Sequence, residues 1–160
     1  MKSFDKVEGL KEAHRALQAY QILICSATNR QQQTYGRVAK IMDFGGSGVL
    51  ADILGHITYW CLDEGLPILP VIVSNNQTGR PGFAPMLLND VALGANLAKV
   101  FSFPWFRIVP PTPLELSAVY HDKYELGTSP LAILAIEKGI KDRGIPMQPD
   151  EYLKRFSFKD

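Results

Sequence analysis

The chain has 160 residues, of which 46% are hydrophobic and 21% charged, with a formal net charge of +1. That balance suits a single domain around one core, and no segment is long or apolar enough to span a bilayer. The N-terminus MKSFDKVEGLKEAHRA is too charged for a secretion signal, so the expectation is a soluble, cytoplasmic protein without membrane contact.

A charge near zero provides no global steering toward nucleic acid. Any basic face must draw on the first third, where Lys2, Lys6, Lys11, Arg15, Arg30, Arg37 and Lys40 outnumber Asp5, Glu8, Glu12, Asp43 and Asp52.

From about Val7 to Ala27 an apolar face of Val7, Leu10, Leu17, Ile24 and Cys25, helped by Ala13 and Ala16, opposes Lys11, Glu12 and Arg15. This spacing predicts a long amphipathic helix packed on the core. The polar run TNRQQQ ends it and reads as a solvated connector. Thr34 is placed to cap a short helix Tyr35 to Met42, and DFGGSG, residues 43 to 48, should break that helix.

Val49, Leu50, Ile53, Leu54, Ile57, Trp60 and Cys61 then fall on one stripe, which predicts a helix from Val49 to Glu64 stopped by Gly65. The β-branched run Ile68 to Ser74 reads as a strand, on an edge or bulged because of Pro70. Asn75 to Gly79 make a polar turn, and Arg80 to Phe83 would return as the second arm of a wing.

Farther on, Met86 to Val100 reads as a largely buried helix. The run VFSFPWFRIV concentrates Phe101, Phe103, Trp105 and Phe106 around Pro104. Aromatics this dense read as core; the rival reading is a patch for partner docking or homo-oligomer formation. Thr112, Pro113 and Glu115 carry the pattern of a capping box opening a helix to about Leu126. A short helix is expected over Leu131 to Lys138, and from Pro149 a last turn through Tyr152, Leu153 and Phe156 that docks as a C-terminal staple.

Cys25 and Cys61 both sit in apolar helical patterns and read as buried free thiols, although spacing alone leaves a disulfide open. Cys61 lies five residues after His56, which turns it away from that imidazole on a helix. The spacings of a zinc site are missing, and the glycines of DFGGSG lack the lysine of a P-loop. Asp52 and His56, at i and i+4, are the one compact polar pair worth testing, most simply as a helix-surface hydrogen bond. No metal, cofactor or catalytic residue is expected.

TYGRVAKIM, a glycine turn, an apolar helix and PILPVIV together resemble the winged-helix DNA-binding subdomain of the O6-alkylguanine-DNA alkyltransferases and their alkyltransferase-like relatives, over about residues 34 to 83. The resemblance implies a DNA-binding scaffold in which Tyr35 lies near a phosphate. It also implies loss of chemistry: Val71 follows Pro70 where repair members carry the nucleophilic cysteine of Pro-Cys-His-Arg. The family's helical arginine would fall near Gly48 or Val49, which leaves base flipping unsupported.

The fold expectation is therefore mainly α with a small β component: a winged helix-turn-helix core at 34 to 83 and a helical, aromatic-rich extension at 84 to 160. The functional expectation is a non-catalytic module that binds nucleic acid weakly through Arg30, Thr34, Tyr35, Arg37, Lys40, Ser47 and Arg80. The alternative is a protein-interaction or homodimerisation module that contacts no nucleic acid.

Overall fold

The computed structural model describes residues 10–81 and 90–125. In chain order these form helix α1 (Lys11–Thr28), strand β1 (Gln33–Thr34), helix α2 (Tyr35–Ile41) and helix α3 (Leu50–Glu64). A 3-10 turn (Leu69–Ile72), strand β2 (Val73–Ser74), helix α4 (Asp90–Ser102), a second 3-10 turn (Trp105–Arg107) and helix α5 (Pro113–Glu125) follow. The class is mainly helical with a small sheet, in which β1 and β2 pair in parallel with Gln33 opposite Val73 and Thr34 opposite Ser74. The short helix and the C-terminal turn expected after residue 126, and the return arm of the wing beyond Pro81, lie outside the described residues.

α3 is the central helix. Every residue from His56 to Cys61 is buried, a run that passes around the whole circumference, because α1 and α5 both pack against this helix. The expected stripe is buried except for its first member, Val49, which is exposed.

On α1 the buried face is Ala13, Ala16, Ala19, Tyr20, Leu23, Ile24 and Ala27. The small alanines let α1 come close to its neighbours while Tyr20 and Leu23 fill the space between. The face expected from sequence was turned by about one residue: Leu10 and Cys25 are exposed and Leu17 is half-buried.

Tyr20 stands at the centre of the aromatic core. Its ring meets Trp60 edge-on at 5.6 Å and Trp105 edge-on at 6.5 Å, while Phe103 lies 4.6 Å from Trp105. The Trp105 indole donates to the Val100 carbonyl at 2.8 Å, so its one polar atom is satisfied inside the core. The aromatic run thus divides: Phe103 and Trp105 are core, and Phe106 points outward at 67% exposure.

Three helices end in the same way. The αL position is taken by Arg30 after α1, Asp43 after α2 and Gly65 after α3. In each case the two amides at the end of the turn reach back to carbonyls of the last turn, as in Gln31 to Ser26, Phe44 to Ala39 and Leu66 to Cys61. Only the third uses the glycine that the conformation favours. The turn out of α2 therefore rests on Asp43 and not on the three glycines that follow it.

The run Ile68 to Ser74 was expected to be a strand throughout. Instead Leu69–Ile72 curl into a 3-10 turn that starts beside Pro70, and only Val73–Ser74 are extended. Proline has no N–H for a ladder and its fixed φ suits the start of a helical turn. The connector before α2 also departs from expectation: Gln33 is buried as a strand residue and not solvated.

Candidate nucleic-acid interface

Thr34 closes β1 and caps α2, its Oγ1 accepting the Arg37 amide at 3.2 Å. Val38 and Ala39 anchor α2 on the core and Met42 follows, which leaves Arg37 and Lys40, three residues apart, exposed on one outer face. Tyr35 is half-buried against the core. Arg15 secures the far end of α2, donating to the Met42 carbonyl at 2.6 Å with its guanidinium 4.2 Å over the Phe44 ring.

The parallel register decides what lies next to this helix. Because β1 and β2 run in the same direction, the segments that leave them emerge at the same end of the sheet. One is the first turn of α2; the other is the polar turn Asn75 to Arg80. That turn is closed by the Asn75 amide donating to the Arg80 carbonyl at 2.7 Å and by the Gln77 amide donating to the Asn75 side chain at 2.8 Å. Thr34, Tyr35, Arg37 and Arg80 thus gather at one end of the sheet, with Lys40 one turn along α2.

Two of the expected residues are elsewhere. Arg30 precedes β1 and is at the opposite, entering end, with its guanidinium 5.8 Å over the Phe101 ring of α4. Ser47 is an exposed member of the α2–α3 turn, where its carbonyl accepts the Leu50 amide at 3.1 Å. α3 itself is too enclosed to be laid in a nucleic-acid groove along its C-terminal half.

The pair Asp52 and His56 is joined differently from the expected surface bond. His56 is 2% exposed, and its Nδ1 donates to the backbone carbonyl of Asp52 at 2.7 Å rather than to the carboxylate. The Asp52 carboxylate instead accepts the Tyr120 hydroxyl at 3.0 Å. Burial lowers the His56 pKa from its ordinary value, opposed by the Asp52 carbonyl and the nearby Glu12 charge. An imidazole buried under an aromatic ring is a packing element, without the exposure of a base poised for a substrate.

Tyr120 is the residue that sequence reasoning missed. Its sign in the sequence is Gly55 in the middle of α3, where a Cβ would stand 3.2 Å from the Tyr120 ring. The second cysteine offers no nucleophile either: burial pushes the Cys61 thiol up to about 12. Both cysteines are free, Cys25 exposed and Cys61 buried. Among the described residues no three His, Cys, Asp or Glu side chains converge as metal ligands, and no helix is long and apolar enough to cross a membrane.

Comparison of the chain with known protein families, with curated proteins and with solved structures finds no match.

Proposed function

We propose that the chain is a non-catalytic nucleic-acid-binding module whose contact face is the outer side of α2 together with the Asn75–Arg80 turn. The observation that carries this reading is the parallel pairing of Gln33–Thr34 with Val73–Ser74, which sets the first turn of α2 beside the polar turn. Arg37, Lys40 and Arg80 supply the cations, and Tyr35 stands at the position where the alkyltransferase-like resemblance puts a phosphate neighbour. The winged-helix reading of residues 34 to 83 belongs to this proposal. So does the loss of alkyl-transfer chemistry, since Val71 is a buried member of the 3-10 turn.

Three cations on one face correspond to about 3 phosphate contacts, which gives weak, sequence-independent binding. The affinity should then fall roughly 40-fold between about 50 and 200 mM salt. Fluorescence anisotropy with labelled duplex and single-stranded DNA at low salt tests it. Binding with a steep salt dependence is expected, and an absence of binding at tens of micromolar protein overturns the reading.

A second reading has an observation of its own. Phe106, Val109 and Leu114 are 67%, 87% and 67% exposed within one short stretch of chain, apolar side chains available for contact with a second copy. Sedimentation at several concentrations tests it, and a strictly monomeric particle removes it.

A further inference from the structure

An open groove of about 710 Å³ runs between α1 and the C-terminal end of α2, beside the face just described. Its α1 wall is a stripe at helical spacing, Arg15, Gln18, Ile22, Cys25 and Asn29, which covers roughly 21 Å of helix at 1.5 Å per residue. The opposite wall is Gln31 and Gln33 at one end and Ile41, Met42 and Asp43 at the other. Arg15 is already engaged with Gln18, with the Met42 carbonyl and with Phe44.

What distinguishes this groove is its carboxamides. Gln18, Gln21, Asn29, Gln31 and Gln33 all line it. Gln33 is 7% exposed; its Nε2 donates to Ser26 Oγ at 2.9 Å, and that hydroxyl donates to the Ile22 carbonyl at 2.9 Å. This chain of bonds holds the Gln33 amide by its nitrogen alone and leaves Oε1 buried with no hydrogen-bond partner. A buried acceptor without a donor is unfavourable, and a ligand N–H reaching it through a small rotation of the side chain relieves that state.

The lining selects the chemistry of the ligand. Side-chain amides donate and accept at once, as the main chain of a peptide does, and the groove length matches about six extended residues at ~3.3 Å each. A nucleobase finds no aromatic ring in this lining on which to stack. We propose that the groove beside α1 binds an uncharged segment of extended polypeptide, with a main-chain N–H meeting Gln33 Oε1 and the other carboxamides pairing with the flanking amides.

Cys25 provides the readout, because it lies in the groove wall and is exposed while Cys61 is buried. The full chain is screened on an array of N-acetylated, C-amidated hexapeptides lacking ionisable side chains. Any binder is then titrated in solution, and the rate of Cys25 alkylation by N-ethylmaleimide is followed by intact mass. A saturating hexapeptide is expected to protect Cys25, with an affinity little changed between about 50 and 500 mM NaCl because no charge is paired.

Gln33→Leu should weaken that hexapeptide about tenfold, the loss of one buried hydrogen bond. The exposed substitutions Gln21→Ala and Gln31→Ala, which leave the fold intact, should each weaken it as well. The proposal is overturned if no hexapeptide protects Cys25, if protection is equal in Gln21→Ala and Gln31→Ala, or if labelled single-stranded DNA protects Cys25 where the peptides do not.

Discussion

The ring of Tyr120 lies flat on that of His56, with centroids 3.9 Å apart and planes within 8°. One α5 side chain therefore clamps the central helix twice, since the same tyrosine donates its hydroxyl to Asp52 one turn earlier. Removing the hydroxyl alone, in Tyr120→Phe, should reduce stability by about 0.5–1 kcal/mol. Removing the ring, in Tyr120→Ala, should reduce it by roughly 2–3 kcal/mol, less than for a fully enclosed aromatic because this one is half-buried. Urea denaturation of the two variants measures the difference, and equal losses would contradict a stabilising role for the stack.

The same cluster makes stability depend on pH. The folded-state pKa of His56 is below its ordinary value because the ring is buried, so above about pH 6.5 neither folded nor unfolded chain is protonated there. As the pH falls below about 6.5 the unfolded chain takes up a proton that the folded chain still refuses, and stability declines until the folded imidazole is protonated too. The urea midpoint should drop between about pH 7.5 and pH 5.5 in the native sequence and drop less in His56→Gln. Parallel declines in the two would assign the effect to other groups.

Thr34 and Arg37 are bonded to one another and should nevertheless separate in their effects. Thr34→Ala removes the cap of α2 and is expected to destabilise the fold by about 1 kcal/mol. Arg37→Ala keeps the cap, since only the Arg37 backbone amide uses it, and should leave stability within about 0.5 kcal/mol. On DNA the order reverses: Arg37→Ala should reduce the salt slope of binding by about 1, and Thr34→Ala should act only through folding. Thermal melts and anisotropy on the same two proteins check both halves.

Asp43 holds a positive φ of 57° at the end of α2, a conformation that disfavours residues with a Cβ. Asp43→Gly should raise stability by up to about 1 kcal/mol, while the same change at Lys40, inside the helix, should lower it by about 1 kcal/mol. Denaturant midpoints of the pair decide whether the stop after α2 is set at Asp43 or by the glycines that follow.

Much of the local structure was legible in the sequence. The Thr112 cap is one case: Glu115 accepts from both the amide and the hydroxyl of Thr112, at 2.7 and 2.8 Å, and Thr112 Oγ1 accepts the Glu115 amide in return. The interactions of a cap join residues three apart, so they are complete within the motif that announces them. Gly65 and the ends of α3 were readable for the same reason. Cys25 was misread because the buried arc of an amphipathic helix is centred by its neighbours, and Ala19, Tyr20 and Leu23 outweigh the flanking apolar positions once α3 is in place. His56 was misread because a polar side chain on a helix looks exposed until a second helix covers it, and that cover comes from α5.

The sequence by itself determined the helices among the described residues, the caps of α2 and α5 and the stop of α3, because periodicity and short-range hydrogen bonds act within a few residues of chain. The tertiary structure decided that Gln33–Thr34 pair with Val73–Ser74, that Arg37 and Arg80 share an end of the sheet while Arg30 does not, and that Tyr120 seals His56. These relationships join residues about 40 or more positions apart, and no local propensity selects among the partners such distances allow; they follow only when burial of the whole core fixes the positions of the elements.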